Sequence, residues 1–134
     1  MSYAKGLILA PAPTIAVVDD DKCVRDALAE LLEVFDFKCE VFEGLEDFLA
    51  AHAEGRFDCL ITDLKMNGMS GLQLQQKLMT VDPGLPIIFI SAQSTSEERS
   101  QAFRSGAVTF LNKPIDDDVL HRHIMIALNR PAEP

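Results

Sequence analysis

Short apolar runs alternate with longer segments of helical period along most of the chain. Each run occupies four or five positions, and several are rich in isoleucine, valine and phenylalanine, which predicts buried β-strands. The five predicted strands span residues 15–18, 39–42, 59–63, 87–90 and 108–111. The third predicted strand ends in Asp63, so a carboxylate stands at the end of a buried segment.

Between the predicted strands, apolar residues recur three and four positions apart, as they do on one face of a helix. The clearest segment carries apolar side chains at Val24, Ala27, Leu28, Leu31, Leu32 and Phe35. Further helices are predicted at residues 45–52, 71–80, 94–105 and 115–128. An aspartate just before the first helix can cap it. Ser94 and Glu97 have the spacing of a capping box, and Gly106 is expected to close the fourth helix.

Five strands that alternate with five helices predict the α/β class, with a doubly wound parallel sheet and helices on both faces. The 134 residues fit one domain. Residues 14–128 are expected to form it. Residues 1–13 have no clear period and are interpreted as an N-terminal extension, and residues 129–134 as a C-terminal tail or the start of a linker.

The charge balance is acidic, with 12 Lys and Arg against 21 Asp and Glu and a net charge of −9. Such a field repels a phosphate backbone, so we expect this chain not to bind nucleic acid directly. No segment is long enough to form a membrane-spanning helix, which favours a cytoplasmic protein with no membrane association. The cysteines Cys23, Cys39 and Cys59 match no zinc spacing and are expected to be reduced thiols, partly buried.

Polar residues stand where the predicted strands end. Asp19 and Asp20 follow the first strand, Asp63 ends the third, Ser91 follows the fourth and Lys113 lies just past the fifth. In an open parallel sheet the carboxyl ends of the strands lie on one edge, and ligands bind beyond that edge where the strand order reverses. These five side chains are therefore expected to converge on one crevice.

The charges of this set point to a cation. Three carboxylates carry −3 and one ammonium carries +1, which leaves −2, and like charges about 4 Å apart repel by roughly 4 kcal/mol near a protein surface. Oxygen ligands without histidine or cysteine select a hard ion, Mg²⁺ or in its place Mn²⁺. A site with such an ion, a lysine and a hydroxyl suits a phosphoryl group. Aspartates after strands also serve as turn formers and helix caps, the role we assign to residues 116–118.

Four segments, at residues 15–22, 60–66, 88–92 and 106–114, read IAVVDDDK, LITDLKM, IFISA and GAVTFLNKP. In this order they resemble the signature segments of response-regulator receiver domains of two-component signalling, and the resemblance covers about residues 14–128. It implies the flavodoxin-like strand order 2-1-3-4-5. It also implies a signalling domain rather than an enzyme, one that catalyses only its own phosphorylation and dephosphorylation.

The resemblance assigns a role to each residue of the acidic crevice. Asp63 matches the phosphoacceptor, which also binds the metal ion. Asp20 matches the direct metal ligand, and Asp19 the carboxylate that holds the metal through water. The main-chain carbonyl of Lys65 matches the third protein ligand. Asn67 stands where family members usually carry proline, a departure that bears on loop geometry and phosphate lifetime.

Three further residues match the switching parts of the family. Ser91 matches the hydroxyl that bonds a phosphoryl oxygen, and Lys113 matches the lysine that pairs with the phosphoryl group. Phe110 matches the aromatic residue that turns inward when Ser91 moves. The Lys113-Pro114 bond matches one that is commonly cis.

The resemblance also implies partners. A sensor histidine kinase would donate the phosphoryl group. The face made by the fourth helix, the fifth strand and the fifth helix would then signal to an output domain or effector protein, by analogy a regulator of transcription. Phosphorylation-dependent homodimerisation is a further expectation.

Three other classes are weighed against this interpretation. A phosphatase or phosphotransferase of the haloacid-dehalogenase type needs a second aspartate two positions after the first, where Lys65 stands. A flavodoxin-like binder needs a glycine- and hydroxyl-rich phosphate loop, where the aspartates 19–21 stand. A receiver fold used only for protein interaction would not need the five polar residues, and a phosphorylation assay separates it.

Overall fold

The computed structural model describes residues 12–66 and 68–129. Its strands are β1 (Thr14–Val18), β2 (Lys38–Phe42), β3 (Cys59–Asp63), β4 (Ile87–Ser91) and β5 (Thr109–Asn112). Its helices are α1 (Lys22–Val34), α2 (Leu45–Ala51), α3 (Gly71–Val81), α4 (Ser96–Arg104) and α5 (Asp117–Asn129). Each predicted element is present within two residues of its predicted ends. Asn67 and most of the predicted extension and tail lie outside the described residues.

The five strands form one parallel sheet in the order β2-β1-β3-β4-β5, which confirms the predicted fold. The register places Asp63 beside Ile90, and Ser91 beside Asn112. All carboxyl ends therefore lie along one edge of the sheet. The order reverses between β1 and β3, where a doubly wound sheet offers its ligand crevice.

Two hydrophobic cores cover the two faces of the sheet. Ile15 and Val17 of β1 pack with α1 and α5, whereas Ala16 and Val18 pack with α2 and α3. Successive side chains of a strand point to opposite faces, so helices on both sides require apolar residues at every position. This requirement explains why β1, β3 and β4 read as continuous apolar runs.

The amino ends of α1 and α4 are capped by polar side chains, and one of the two predicted caps is wrong. Asp21 caps α1, because its side chain accepts a hydrogen bond from the Cys23 amide at 2.9 Å. The predicted Ser94–Glu97 capping box is wrong. Thr95 is the N-cap of α4, and its hydroxyl and the Glu98 carboxylate exchange hydrogen bonds with each other's amides. Both pairs have the same spacing, so spacing alone could not choose between them.

The carboxyl end of α4 closes as predicted at Gly106, which adopts a φ of 97°. The Gly106 amide donates to Phe103 O and the Ala107 amide donates to Ala102 O, both at 3.0 Å. This pair of bonds is a Schellman motif, in which a glycine tolerates the left-handed conformation that ends the helix.

The cysteines are free thiols in three environments, and Cys23 is exposed rather than partly buried as expected. Cys59 is fully buried in β3, and burial raises the pKa of its thiol to about 12. Cys39 is half-buried, and burial raises its pKa to about 11. Both thiols are therefore protonated at neutral pH, which makes them poor nucleophiles. Within residues 12–66 and 68–129, none of the helices has the length and apolar character needed to cross a membrane.

Candidate functional site

Four of the five polar residues predicted to converge at the carboxyl edge of the sheet lie close together there, and the fifth, Ser91, ends the neighbouring strand β4. Asp19, Asp20 and Asp63 each offer a carboxylate oxygen, and these oxygens lie within 4.8 Å of one another. Lys113 Nζ lies 2.9 Å from Asp19 Oδ2 and 3.1 Å from Asp63 Oδ2. Three strands thus bring three carboxylates and one ammonium into a single acidic pocket.

Backbone contacts hold Asp19 in place at the end of β1. Its amide donates to Phe42 O at 3.1 Å, which extends the sheet by one residue, and its Oδ1 accepts from the Asp21 amide at 2.9 Å. Arg25, one turn into α1, donates to Asp19 O at 2.7 Å. Asp19 is fully buried whereas Asp20 is exposed. The sequence analysis did not identify Arg25 as a pocket residue. The only signal for it is its position one turn into α1, on the side of the helix that faces the pocket.

The acidic pocket perturbs the acidity of the predicted acceptor. Burial raises the pKa of Asp63 above its ordinary value of 3.8, and the charge of Asp19 raises it further, against hydrogen bonds from Lys113 and the Lys65 amide. The pKa of Lys113 is lowered by burial, but contacts with Asp19 and Asp63 more than offset this, so it lies above 10.5. At neutral pH Lys113 is therefore an ammonium that neutralises part of the pocket.

Asp63→Asn is expected to raise the free energy of unfolding at pH 7 by about 1 kcal/mol, which raises Tm by roughly 4 °C. Between pH 3.8 and the raised pKa of Asp63, the folded state binds more protons than the unfolded state, so wild-type stability falls as pH rises through this window. Asparagine does not titrate, so the variant does not lose stability in this window, and Lys113 keeps its contact with Asp19. Thermal melts at several pH values measure the difference.

The control for this prediction is Asp26→Asn, which neutralises an exposed aspartate on α1. It should leave Tm at pH 7 almost unchanged. A lower Tm for Asp63→Asn than for the wild type at pH 7 would mean that the Asp63 carboxylate stabilises the fold.

One oxygen of the pocket identifies the kind of group that fits it. Asp19 Oδ2 is buried, and it accepts no hydrogen bond from any of the described residues. It meets Lys113 Nζ at 2.9 Å as an ion pair, without the angles of a hydrogen bond. A buried carboxylate oxygen left in this state favours a further cation nearby. The donor set of Asp19, Asp20 and Asp63 is all oxygen, which fits Mg²⁺.

Lys65 and Ser91 flank the acceptor. The Lys65 amide donates to Asp63 Oδ1 at 3.3 Å, which fixes the main chain of Lys65 beside the acceptor. The Lys65 ammonium points to α4, where it lies 3.6 Å from Glu98 Oε1. The Ser91 hydroxyl donates to Gln93 O and accepts from the Gln93 amide at 3.1 Å. Ser91 must therefore leave Gln93 O before it can donate elsewhere.

Phe110 lies on β5 against the core that α2 and α3 cover. Its ring stacks on Phe89, with centroids 5.7 Å apart and an interplanar angle of 25°. Phe110 is only half-buried, whereas Phe89 is fully buried. The Phe110 ring is thus at the boundary between core and solvent. The Lys113-Pro114 bond is cis.

A cavity of about 600 Å³ does not lie over the carboxylates. It runs along α1 between Cys23 and Val34, with Ile115 on the opposite wall. A smaller cavity of about 260 Å³, lined by Asp20, Glu43 and Asp47 among others, adjoins the acidic pocket. We assign the chemistry to the acidic pocket because the charged groups converge there and the larger cavity is mostly apolar.

The fold and the site define a doubly wound α/β protein with an acidic pocket at the carboxyl edge of its sheet. A model of the response regulator receiver domain family matches residues 15–125. The chain belongs to this family.

Three comparisons describe its relatives. The chain is 41% identical to the transcriptional regulatory protein TdiR of Thauera aromatica over 121 residues, which cover 89% of this chain and 53% of that protein. It is 34% identical to the transcriptional regulatory protein FixJ of Bradyrhizobium diazoefficiens over 120 residues, 90% of this chain and 58% of that protein. The solved structure of the response regulator StyR superposes with a TM-score of 0.83 at 37% identity, covering 90% of this chain and 61% of that one. The chain spans about half the length of the curated relatives it matches.

Proposed function

We propose that Asp63 accepts a phosphoryl group from a phosphohistidine of a sensor histidine kinase, and that this modification switches the domain. The observation that carries the proposal is the convergence of Asp19, Asp63 and Lys113, with Lys113 Nζ within 3.1 Å of both carboxylates. Lys113 can pair with a phosphoryl oxygen while it stays beside the acceptor, and Asp63 is only 6% exposed, which restricts the approach of the donor.

The chemistry uses the acceptor as a nucleophile. An Asp63 oxygen attacks phosphorus, an O–P bond forms, and the P–N bond to the donor histidine breaks with its electron pair left on nitrogen. Lys113 stabilises negative charge on the transferring oxygens. Water later attacks phosphorus and the O–P bond to Asp63 breaks. Inorganic phosphate is released, and the Asp63 carboxylate is restored. Both steps are catalysed by the domain on itself.

Asp20, Asp63 and the main-chain carbonyl of Lys65 would hold Mg²⁺, with Asp19 acting through water. When bound, the ion would neutralise the excess charge of the pocket and of the phosphoryl oxygens. Mn²⁺ offers the same preference for oxygen ligands and is expected to substitute. The Asp19 oxygen that accepts no hydrogen bond from the described residues and the all-oxygen donor set support this assignment.

Mg²⁺ is expected to raise Tm of the unphosphorylated protein, because an ion that binds only the folded state stabilises it by about 2.7 kcal/mol at 100 times its Kd. Asp20→Asn should lose most of this gain. Asp21→Asn is the matched control, since it removes the same charge one position later and keeps a good helix cap. An equal response of all three proteins to Mg²⁺ would place the ion elsewhere.

The proposed function is tested by incubation with acetyl phosphate and Mg²⁺, followed by intact mass measurement. One added phosphoryl group is expected for the wild type, and none for Asp63→Asn or in the presence of EDTA. Equal labelling of Asp63→Asn would move the acceptor to another residue. A wild type that stays unlabelled in Mg²⁺ would instead favour a receiver fold that acts only through protein contacts.

The switch would start at Ser91. Its hydroxyl would leave Gln93 O for a phosphoryl oxygen, and the space it vacates would admit the ring of Phe110. The face formed by α4, β5 and α5 would then change. Its two helices carry the exposed apolar side chains Phe103, Met125 and Ile126, each between 40% and 49% exposed, which suits a protein partner.

The partners follow from this switch. A sensor histidine kinase would supply the phosphoryl group in the cytoplasm, and the relatives named for transcriptional regulation favour an output of that kind. Direct binding of this chain to nucleic acid is not proposed, since its net charge is −9. A phosphorylation-dependent homodimer through the α4-β5-α5 face is a further proposal. Sizing with and without beryllofluoride tests it, and an unchanged monomer would refute it.

A further inference from the structure

Gln75 on α3 is a buried amide that is paired on one side only. The residue is 1% exposed, and its Nε2 donates to Ala102 O on α4 at 3.0 Å. A carbonyl oxygen can only accept, so the amide nitrogen must face Ala102. Gln75 Oε1 is therefore turned away, and among the described residues it has no hydrogen-bond partner. Burial of the unpaired Oε1 offsets part of the stability that the bond to Ala102 O provides, and an apolar side chain of similar size would avoid this cost.

The bond from Gln75 holds the carboxyl end of a helix that is otherwise weakly attached. All residues of α4 are described, and Ala102 alone among them is buried. Ala102 O also accepts from the Ala107 amide, so Gln75 binds at the turn that ends the helix. The exposed Gln76 adds a second, weaker tie at this end, from its Nε2 to Ser105 Oγ at 3.0 Å.

Among the described residues, nothing gives the amino end of α4 a comparable buried hydrogen bond. Glu98 meets Lys65 at 3.6 Å, and the Lys65 side chain is 53% exposed. The remaining polar contacts at this end, the Thr95 capping box and the bond from Arg99 to Ser94, lie within α4 and its own N-cap segment. Exposed ion pairs add little stability, so this end is the freer of the two.

The freer end of α4 is also the end nearest the acidic pocket, because Thr95 follows Ser91 by four residues. We propose that Gln75 is a positioning residue that acts through Ala102. It fixes the carboxyl end of α4, so that displacement of Ser91 makes the helix pivot about that end. The displacement of Ser91, which we call the trigger, rests on the proposed function. The hydrogen bond from Gln75 to Ala102 O, which we call the anchor, does not.

Hydrogen exchange of the unmodified protein tests the anchor by itself. In Gln75→Met, the amides at residues 103–107 are expected to exchange about tenfold faster than in the wild type, as loss of one buried hydrogen bond implies. Gln76→Met is the matched control, because it removes the exposed amide of the next residue on the same helix. Its exchange should stay close to that of the wild type. Equal exchange in Gln75→Met and the wild type would overturn the proposal.

Beryllofluoride with Mg²⁺, used as a phosphoryl mimic, tests the pivot by amide NMR. In the wild type and in Gln76→Met, the shift changes within α4 are expected to be largest at residues 96–99 and small at 102–105. In Gln75→Met they should extend through residues 102–105. The same profile in all three proteins would refute the pivot. A wild type with no response to beryllofluoride would refute the proposed trigger, and the exchange comparison would still decide the anchor.

The wild type provides a check if Gln75→Met does not fold. Arg99 and Ser100, in the amino half of α4, are expected to exchange faster than Phe103, Arg104 and Ser105. All five amides lie beyond the first three positions of the helix and outside the acidic pocket, so the gradient reports how firmly each end of the helix is attached. A reversed gradient would mean that the amino end is the fixed one and would contradict the proposal.

Discussion

Lys113→Met is expected to slow phosphorylation of Asp63 by at least about 100-fold, the typical effect of removing one group that stabilises transferring oxygens. The same change should lower the free energy of unfolding by about 3 kcal/mol, because it leaves Asp19 and Asp63 buried without their shared cation. Methionine keeps most of the length of the side chain and lacks the ammonium, so the lost charge is the main difference. Rates with acetyl phosphate and denaturant melts measure the two effects.

The pH dependence of the second effect has a defined sign. The folded-state pKa of Lys113 lies above 10.5, so the stability that its ammonium contributes is complete at neutral pH and is lost as pH rises above that value. The wild type and Lys113→Met should therefore converge in stability only in strong alkali. Mg²⁺ should restore part of the loss at neutral pH, since it supplies charge to the same carboxylates.

Lys22→Met is the control for the loss of one positive charge. Lys22 begins α1 and pairs with Asp26 at 2.7 Å, and both side chains are more than 60% exposed. The variant should be phosphorylated at the rate of the wild type, and its free energy of unfolding should fall by at most about 1 kcal/mol. If Lys22→Met and Lys113→Met lost activity equally, a general change in charge, rather than contact with the acceptor, would explain both.

Gly71→Ala is expected to destabilise the fold by about 3 kcal/mol, an effect of overpacking against backbone. An added Cβ would lie 2.6 Å from Asp63 O, 2.9 Å from Phe89 Cε1 and 3.2 Å from Leu64 Cα. Neither a backbone carbonyl at the end of β3 nor a buried ring can yield at low cost. The acceptor would have to shift, so we also expect slower phosphorylation of the fraction that folds.

Gly84→Ala is the matched control, because nothing lies within 4 Å of the added Cβ and the backbone there is not left-handed. It should change the free energy of unfolding by no more than about 0.5 kcal/mol. Urea unfolding of both variants measures the contrast. Equal stability of the two would mean that α3 can move away from β3 without loss.

The sheet and the acidic pocket could be predicted because they depend on local patterns and on a rule of topology. Buried parallel strands need continuous apolar runs, and strand ends share one edge, so Asp19, Asp63 and Lys113 could be assigned to one crevice before their distances were known. The structure adds that Lys113 contacts both carboxylates and that Ser91 is engaged with Gln93. The roles assigned to these residues remain predictions for the experiments above.

Other contacts could not be predicted, because they join residues that no periodicity or motif relates. His52 and Asp82 form a buried pair, with Nε2 2.9 Å from Oδ2, although 30 positions separate them. Gln75 reaches Ala102 across 27 positions. Glutamine and histidine at such positions look like ordinary helix residues in the sequence. Only the packing of α3 against its neighbours turns them into buried partners.

The most direct measurement of the central claim is to identify the residue that carries the phosphoryl group. After reaction with acetyl phosphate and Mg²⁺, borohydride reduces an aspartyl phosphate to homoserine, and peptide mass spectrometry locates that change. The expected result is homoserine at position 63 alone, in an amount that falls when EDTA is present. Homoserine at position 19 or 20, or an unchanged Asp63 in a protein whose mass shows one added phosphoryl group, would contradict the assignment of Asp63 as the acceptor.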